Sequence, residues 1–298
     1  MSYNKQKTDF QVAVAKWLAK RSLPVLMRLG RILGRVIYYL PNTRKRVAQI
    51  NLEICFPELD RKERKRLLKK NMVSTGQGLM ELLAAFWAPS SRLTDRFEIS
   101  GMQHLKDALS DGKGCLMLSC HTTSLEWGVR GLNQMIQQCD LPVGHVLARQ
   151  HNNKFLEAYL EEARLGYADK SIDKKNLHGL LKSIKSGHSV YYAPDQNFTY
   201  QIEFANFFGR PAATTIGTQK LSQKGVKILP WFCFRTADCQ WSIKILPLMD
   251  GLAEQSEKQA VQTFNDLFEQ QVRQYPEQYL WVHRRFKNQP KGMDNPYK

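Results

Sequence analysis

Residues 120–126, Cys120-His121-Thr122-Thr123-Ser124-Leu125-Glu126, set an imidazole five positions before a carboxylate, where an apolar run gives way to a helical pattern. An imidazole whose tautomer is held by a carboxylate can take the proton of an alcohol with its other nitrogen. On one continuous helix the two side chains would diverge by about 140°. They can meet only if His121 lies in the turn and Glu126 reaches back from the first helical turn. A structural role competes with this one. Thr123-x-x-Glu126 is also a capping box, in which the carboxylate serves only its own helix N-terminus.

The elements that must position this pair alternate. Strands are expected at 114–120, 143–148, 189–193, 227–234 and 241–246, and helices at 72–87, 123–138, 154–165, 177–185, 214–224 and 256–274. This order predicts an α/β fold with a mixed, mainly parallel sheet flanked by helices. In such sheets reactive groups collect at the carboxyl ends of strands, where His121 falls. Two parts are expected: an N-terminal helical segment, 1–45, and a single α/β domain, 46–298.

Charge narrows the partners. The 298 residues carry 44 Lys/Arg against 27 Asp/Glu, a net +17, and residues 1–100 supply +12 of it. A basic N-terminal third predicts an anionic partner: lipid, acidic protein or nucleic acid. No zinc, helix-turn-helix or aromatic RNA-binding signature accompanies it, which argues against nucleic acid. The helical stretch beginning near Pro24 puts Leu26, Leu29, Leu33, Val36, Ile37 and Leu40 on one face, with Arg28, Arg31 and Arg35 on another. It is too interrupted by charge to span a bilayer. It suits an amphipathic helix lying in an anionic interface, although an ordinary surface helix has the same pattern. The six cysteines show no C-x-x-C pair and are expected to be free thiols, and no secretory signal is evident.

Taken in order, several segments resemble the late acyltransferases of lipid A biosynthesis, the lauroyl/myristoyl transferases within the lysophospholipid acyltransferase superfamily. They are Leu23-Pro24, Leu29-Gly30 with Leu33-Gly34, Asn51-Leu52-Glu53-Ile54-Cys55-Phe56-Pro57-Glu58, His121-x4-Glu126, Asp195-Gln196, Phe207-Phe208-Gly209 with Ala212-Ala213-Thr214, and 279–287. The resemblance covers the chain from end to end. It implies a glycerol-3-phosphate acyltransferase-like fold behind a membrane-associating helix at the cytoplasmic face of the inner membrane. It also implies transfer of a fatty acyl group from acyl carrier protein to a 3-hydroxyacyl hydroxyl of a lipid A precursor.

On that resemblance His121 is the general base and Glu126 its orienting partner, with no covalent acyl-enzyme, metal or cofactor. Backbone N–H groups at the start of the following helix are expected to hold the oxyanion. Arg149 and Arg164 are candidates for headgroup phosphates, Asp195 for ordering those arginines, and Asn153 for a lesser substrate contact. Residues 281–287 are expected to pack rather than react. The alternatives are an acyltransferase for another membrane lipid, such as a lysophospholipid, and a non-catalytic basic binding protein.

Overall fold

After residue 96 the chain builds a seven-stranded sheet. The computed structural model describes residues 2–93 and 95–298, and the side chains from Lys5 onward. Four helices come first: α1 (Ser2–Ala19), α2 (Leu23–Tyr39), α3 (Thr43–Cys55) and α4 (Arg61–Trp87). Then follow β1 (Phe97–Ser100), α5 (Met102–Leu109), β2 (Leu116–Leu118), α6 (Leu125–Gln138), β3 (His145–Ala148), α7 (Lys154–Leu165), β4 (Ser171–Asp173), α8 (Leu177–Lys185) and β5 (Val190–Tyr192). The chain continues through the hairpin β6 (Ile202–Phe207) and β7 (Arg210–Thr215), then α9 (Gly217–Gln223), β8 (Ile228–Ala237), β9 (Gln240–Ile245) and α10 (Glu257–Gln274).

Spatial order in the sheet is β1-β9-β8-β2-β5-β3-β4. Strands β8, β2, β5, β3 and β4 run parallel, β9 is antiparallel to β8, and β1 follows β9. The expected mixed, mainly parallel α/β sheet is present. Period-two alternation along β8 shows why both faces are covered. Ile228, Phe232 and Phe234 enter the core that holds Phe264, Phe268 and Phe286, while Leu229, Trp231 and Cys233 enter the opposite core with Trp127 and Trp241. The six cysteines are free, and all but Cys139 are buried.

Three expectations change. The helix expected at 72–87 begins earlier, at Arg61, so α4 takes in the basic residues 61–70 and is opened by a capping box between Asp60 and Glu63. Its first half packs into one core through Leu67, Leu68 and Met72, its second into the other through Met80, Ala84 and Ala85. The helix expected at 214–224 shrinks to α9, because 210–215 pairs with β6 instead. The turn between them has φ of 52° at Phe208 and 74° at Gly209, two left-handed residues as a tight hairpin requires.

The third change concerns α2. Its predicted apolar face divides: Leu26 is buried, whereas Leu29, Val36 and Leu40 are exposed together with Val25, Ile32 and Tyr39. The helix is pressed backbone to backbone on α4. A Cβ on Gly30 would lie 2.5 Å from the Gln77 backbone, one on Gly34 2.4 Å from that of Met72, and one on Gly76 2.3 Å from that of Gly30. Among the described residues no helix is long and apolar enough to cross a membrane.

Candidate active site

Parallel neighbours in register create the site. Leu118 at the end of β2 stands opposite Tyr192 at the end of β5, so His121 and Asp195, each three residues further on, leave the same edge together. His121 Nδ1 is 2.5 Å from Asp195 Oδ1, and the His121 backbone N–H donates to Asp195 Oδ2 at 2.9 Å. The carboxylate is 3% exposed and the imidazole 29%, so the ring's other edge faces outward.

Burial disfavours the imidazolium, but the charge and hydrogen bond of Asp195, with a smaller contribution from Glu126, outweigh it and raise the His121 pKa above its ordinary value. Burial likewise opposes ionisation of Asp195, yet His121 overrides it and pulls the carboxyl down to about 2. Nε2 of His121 faces the Gln196 side-chain amide at 3.3 Å.

Asp195 thus occupies the position at Nδ1 expected for Glu126, and it orders the histidine rather than Arg149 or Arg164. Glu126 lies in the first turn of α6, where the N-cap is Ser124 without a side-chain cap bond. It accepts a hydrogen bond from the Tyr167 hydroxyl. Burial raises the Glu126 pKa, opposed by Tyr167, then Arg164 and His121. Glu126 is therefore a partly buried second carboxylate whose field reaches the ring, not a helix cap.

The remaining candidates have other partners. Arg164, on α7, pairs with Glu157 at 3.0 Å while its charge acts on Glu126. Asn153 is the N-cap of α7, accepting from the N–H groups of Phe155 and Leu156, and its amide donates to Thr8. Arg149 is exposed just past β3. Of the backbone N–H groups expected for an oxyanion, those of Thr122, Thr123 and Leu125 are already bonded, to Cys120, Gln278 and Thr122 carbonyls.

The sequence motifs acquire physical reasons here. Residues 278–280 strap the turn that carries His121: Thr123 N–H donates to Gln278 O, Leu280 N–H to His121 O, and Thr122 bridges Tyr279. The strap is clamped from outside. The Asn71 amide donates to the carbonyls of Glu277 and Tyr279, and the Asn51 amide to those of Trp281 and His283. Arg285, 2% exposed, donates to Gln196 O, Ala213 O and Thr214 Oγ1 and so fixes the loop after β5. His283 Nε2 accepts from Asn197 N–H at 3.1 Å, and burial pushes its pKa down to about 4. Residues 281–287 therefore pack and position, as expected. Tyr167 and Asn71 do not stand out in the sequence, and Arg285 does so only as part of the 279–287 segment. A buried Arg285 bonded to neutral oxygens has no local signature, and Tyr167 only follows a helix.

The sequence pattern of a family described as bacterial lipid A biosynthesis acyltransferase matches residues 5–288. A lipid A biosynthesis palmitoleoyltransferase of Escherichia coli (strain K12) is 34% identical over 280 residues, covering 92% of this chain and 89% of that protein. The lipid A biosynthesis lauroyltransferase of the same organism is 31% identical over 278 residues, covering 92% and 89%. Its lipid A biosynthesis myristoyltransferase is 24% identical over 280 residues, covering 92% and 84%.

Proposed function

The chain belongs to the bacterial lipid A biosynthesis acyltransferase family, and from that premise we propose that His121 deprotonates a lipid hydroxyl which attacks a fatty acyl thioester. The thioester is carried by acyl carrier protein, and the hydroxyl belongs to a 3-hydroxyacyl chain of a lipid A precursor. One observation carries the reading: a partly exposed imidazole backed at Nδ1 by the buried carboxylate of Asp195. With Nδ1–H held by that carboxylate, Nε2 is the basic nitrogen. The hydroxyl proton moves to Nε2 as the new C–O ester bond forms. The C–S bond then breaks, and the imidazolium returns the proton to the departing thiolate. Gln196 must yield Nε2 to the hydroxyl, which frees its amide to donate to the developing oxyanion. Glu126, kept close to Tyr167 and Arg164, supports the imidazolium through its field.

The exposed faces of α1 and α2 support work at a membrane surface. Phe10, Val14, Trp17, Ile32, Val36 and Tyr39 are between 41% and 71% exposed, beside the arginines of α2. This pattern suits seating on an anionic bilayer, here the cytoplasmic face of the inner membrane, where a soluble carrier protein can deliver its thioester.

The deciding experiment presents purified protein and acyl carrier protein thioester to lipid A precursors and lysophospholipids side by side, with products read by mass spectrometry. One acyl chain should be added to the lipid A precursor by the native protein and none by His121→Ala. Acylation of a lysophospholipid alone would overturn the acceptor assignment, and undiminished turnover by His121→Ala would overturn the chemistry.

A further inference from the structure

On the face where α2 meets α4 and the β8–β9 turn, a cleft of about 480 Å³ gathers Arg31, Arg35, Arg66, Lys69, Lys70 and Arg235. Helical spacing brings them together: Arg31 and Arg35 are one turn apart on α2, and Arg66, Lys69 and Lys70 share one side of α4. Two of the six are neutralised. Arg31 pairs with Asp238 at 2.6 Å, and Arg235 with Glu81 at 2.5 Å inside the protein. Arg35, Arg66, Lys69 and Lys70 make no ion pair among the described residues, and Glu277 is the one other carboxylate on the wall. Convergent like charges repel, and a compact multivalent anion relieves that repulsion.

The rim says where the anion comes from. Ile32, Val36 and Tyr39 on α2 border these cations and are 55%, 47% and 69% exposed. Tyr39 joins the two surfaces, since the Lys69 ammonium lies 5.7 Å from its ring centroid. Exposed cations lining a cleft beside an exposed apolar stripe match a headgroup that stays attached to its acyl chains. An acidic protein would meet the cations without needing the stripe.

We propose that this cleft, lined by none of His121, Asp195 and Glu126, is a docking site for the phosphate-bearing headgroup of a membrane lipid. It goes beyond the acyl-transfer reading, because it concerns binding and needs no reaction. The cleft would hold the protein in register on the bilayer through a phosphomonoester, whose charge of about −1.5 to −2 suits several cations.

The test is co-sedimentation of the full chain, without acyl donor, on phosphatidylcholine vesicles containing phosphatidic acid. The triple variant Arg66→Gln, Lys69→Gln, Lys70→Gln is compared with Arg61→Gln, Lys62→Gln, Lys65→Gln, which removes the same charge from exposed positions on the same helix. The cleft triple should bind at least about ten-fold more weakly than the control triple, because it removes convergent rather than scattered charge. Lys70→Gln alone should show part of the loss, which keeps the test decisive if the triple misfolds. Equal loss in both triples would overturn the proposal in favour of diffuse charge. Saturable binding of inorganic phosphate with equal vesicle binding by the cleft and control triples would overturn it in favour of a free anion. Weakened binding of acyl carrier protein with unchanged vesicle binding would overturn it in favour of a protein partner.

Discussion

His121 Nδ1 and Asp195 Oδ1 are 2.5 Å apart although 74 positions separate them in the chain. Asp195→Asn keeps the volume and removes the charge that orients and supports the ring. We expect a fall in kcat/KM of about 100-fold or more, within the usual range for losing general-base function. Glu126→Gln should cost less, because Tyr167 rather than His121 holds that carboxylate. A steady-state assay of both variants checks the ranking, and the reverse order would return the orienting role to Glu126.

The His121 pKa is raised in the fold, and the proposed general base works only when neutral. The rising limb of kcat/KM against pH should therefore lie above about 6.5, the ordinary histidine value. Asp195→Asn should shift that limb downward, since it removes the influence that favours protonation. A pH–rate profile on each protein reads both effects.

Acid should weaken the fold before carboxylates titrate. Burial holds His145 and His283 down at about 4. As pH falls below about 6.5 the unfolded chain protonates first, so this stability is complete above that value and disappears progressively toward about pH 4. The loss is on the order of 3 kcal/mol for fully buried His145 and smaller for half-buried His283. Urea midpoints measured across that range should fall, and more shallowly in His145→Gln.

The seam between α2 and α4 depends on hydrogen where other residues have carbon. Gly76→Val must push the backbone of Gly30 and Gly34 away, since even a single Cβ there would sit at 2.3–2.5 Å. The cost should be several kcal/mol, above the range of about 1–3 usual for an overpacked core, because backbone rather than side chains must move. Thermal unfolding checks it. Vesicle binding should fall in parallel, because α2 presents the exposed apolar stripe.

What could be read beforehand was mostly local. The helices α7 and α8 lie at 154–165 and 177–185, where periodicity placed them, and His121 leaves a strand end as its neighbours suggested. Asp195 stands out in the sequence but its partner does not, because the pairing follows from β2 and β5 being parallel neighbours in one register. Spacing along the chain holds no record of that adjacency. The β6–β7 hairpin was missed because Ala212 and Ala213 favour helix, while Phe208-Gly209 lacks the Asn-Gly form that announces a tight turn. The apolar face of α2 was detected, but which part turns inward depends on the glycines of α4.

The strap over the His121 turn has a consequence for the order of synthesis. On a ribosome, α3 and α4 emerge early yet must wait for 277–283 before Asn51 and Asn71 find the carbonyls they hold. A nascent chain can thus form much of its sheet while the His121–Asp195 pair still lacks its brace. The site should therefore be completed late, when residues 277–283 meet the two asparagines that α3 and α4 present.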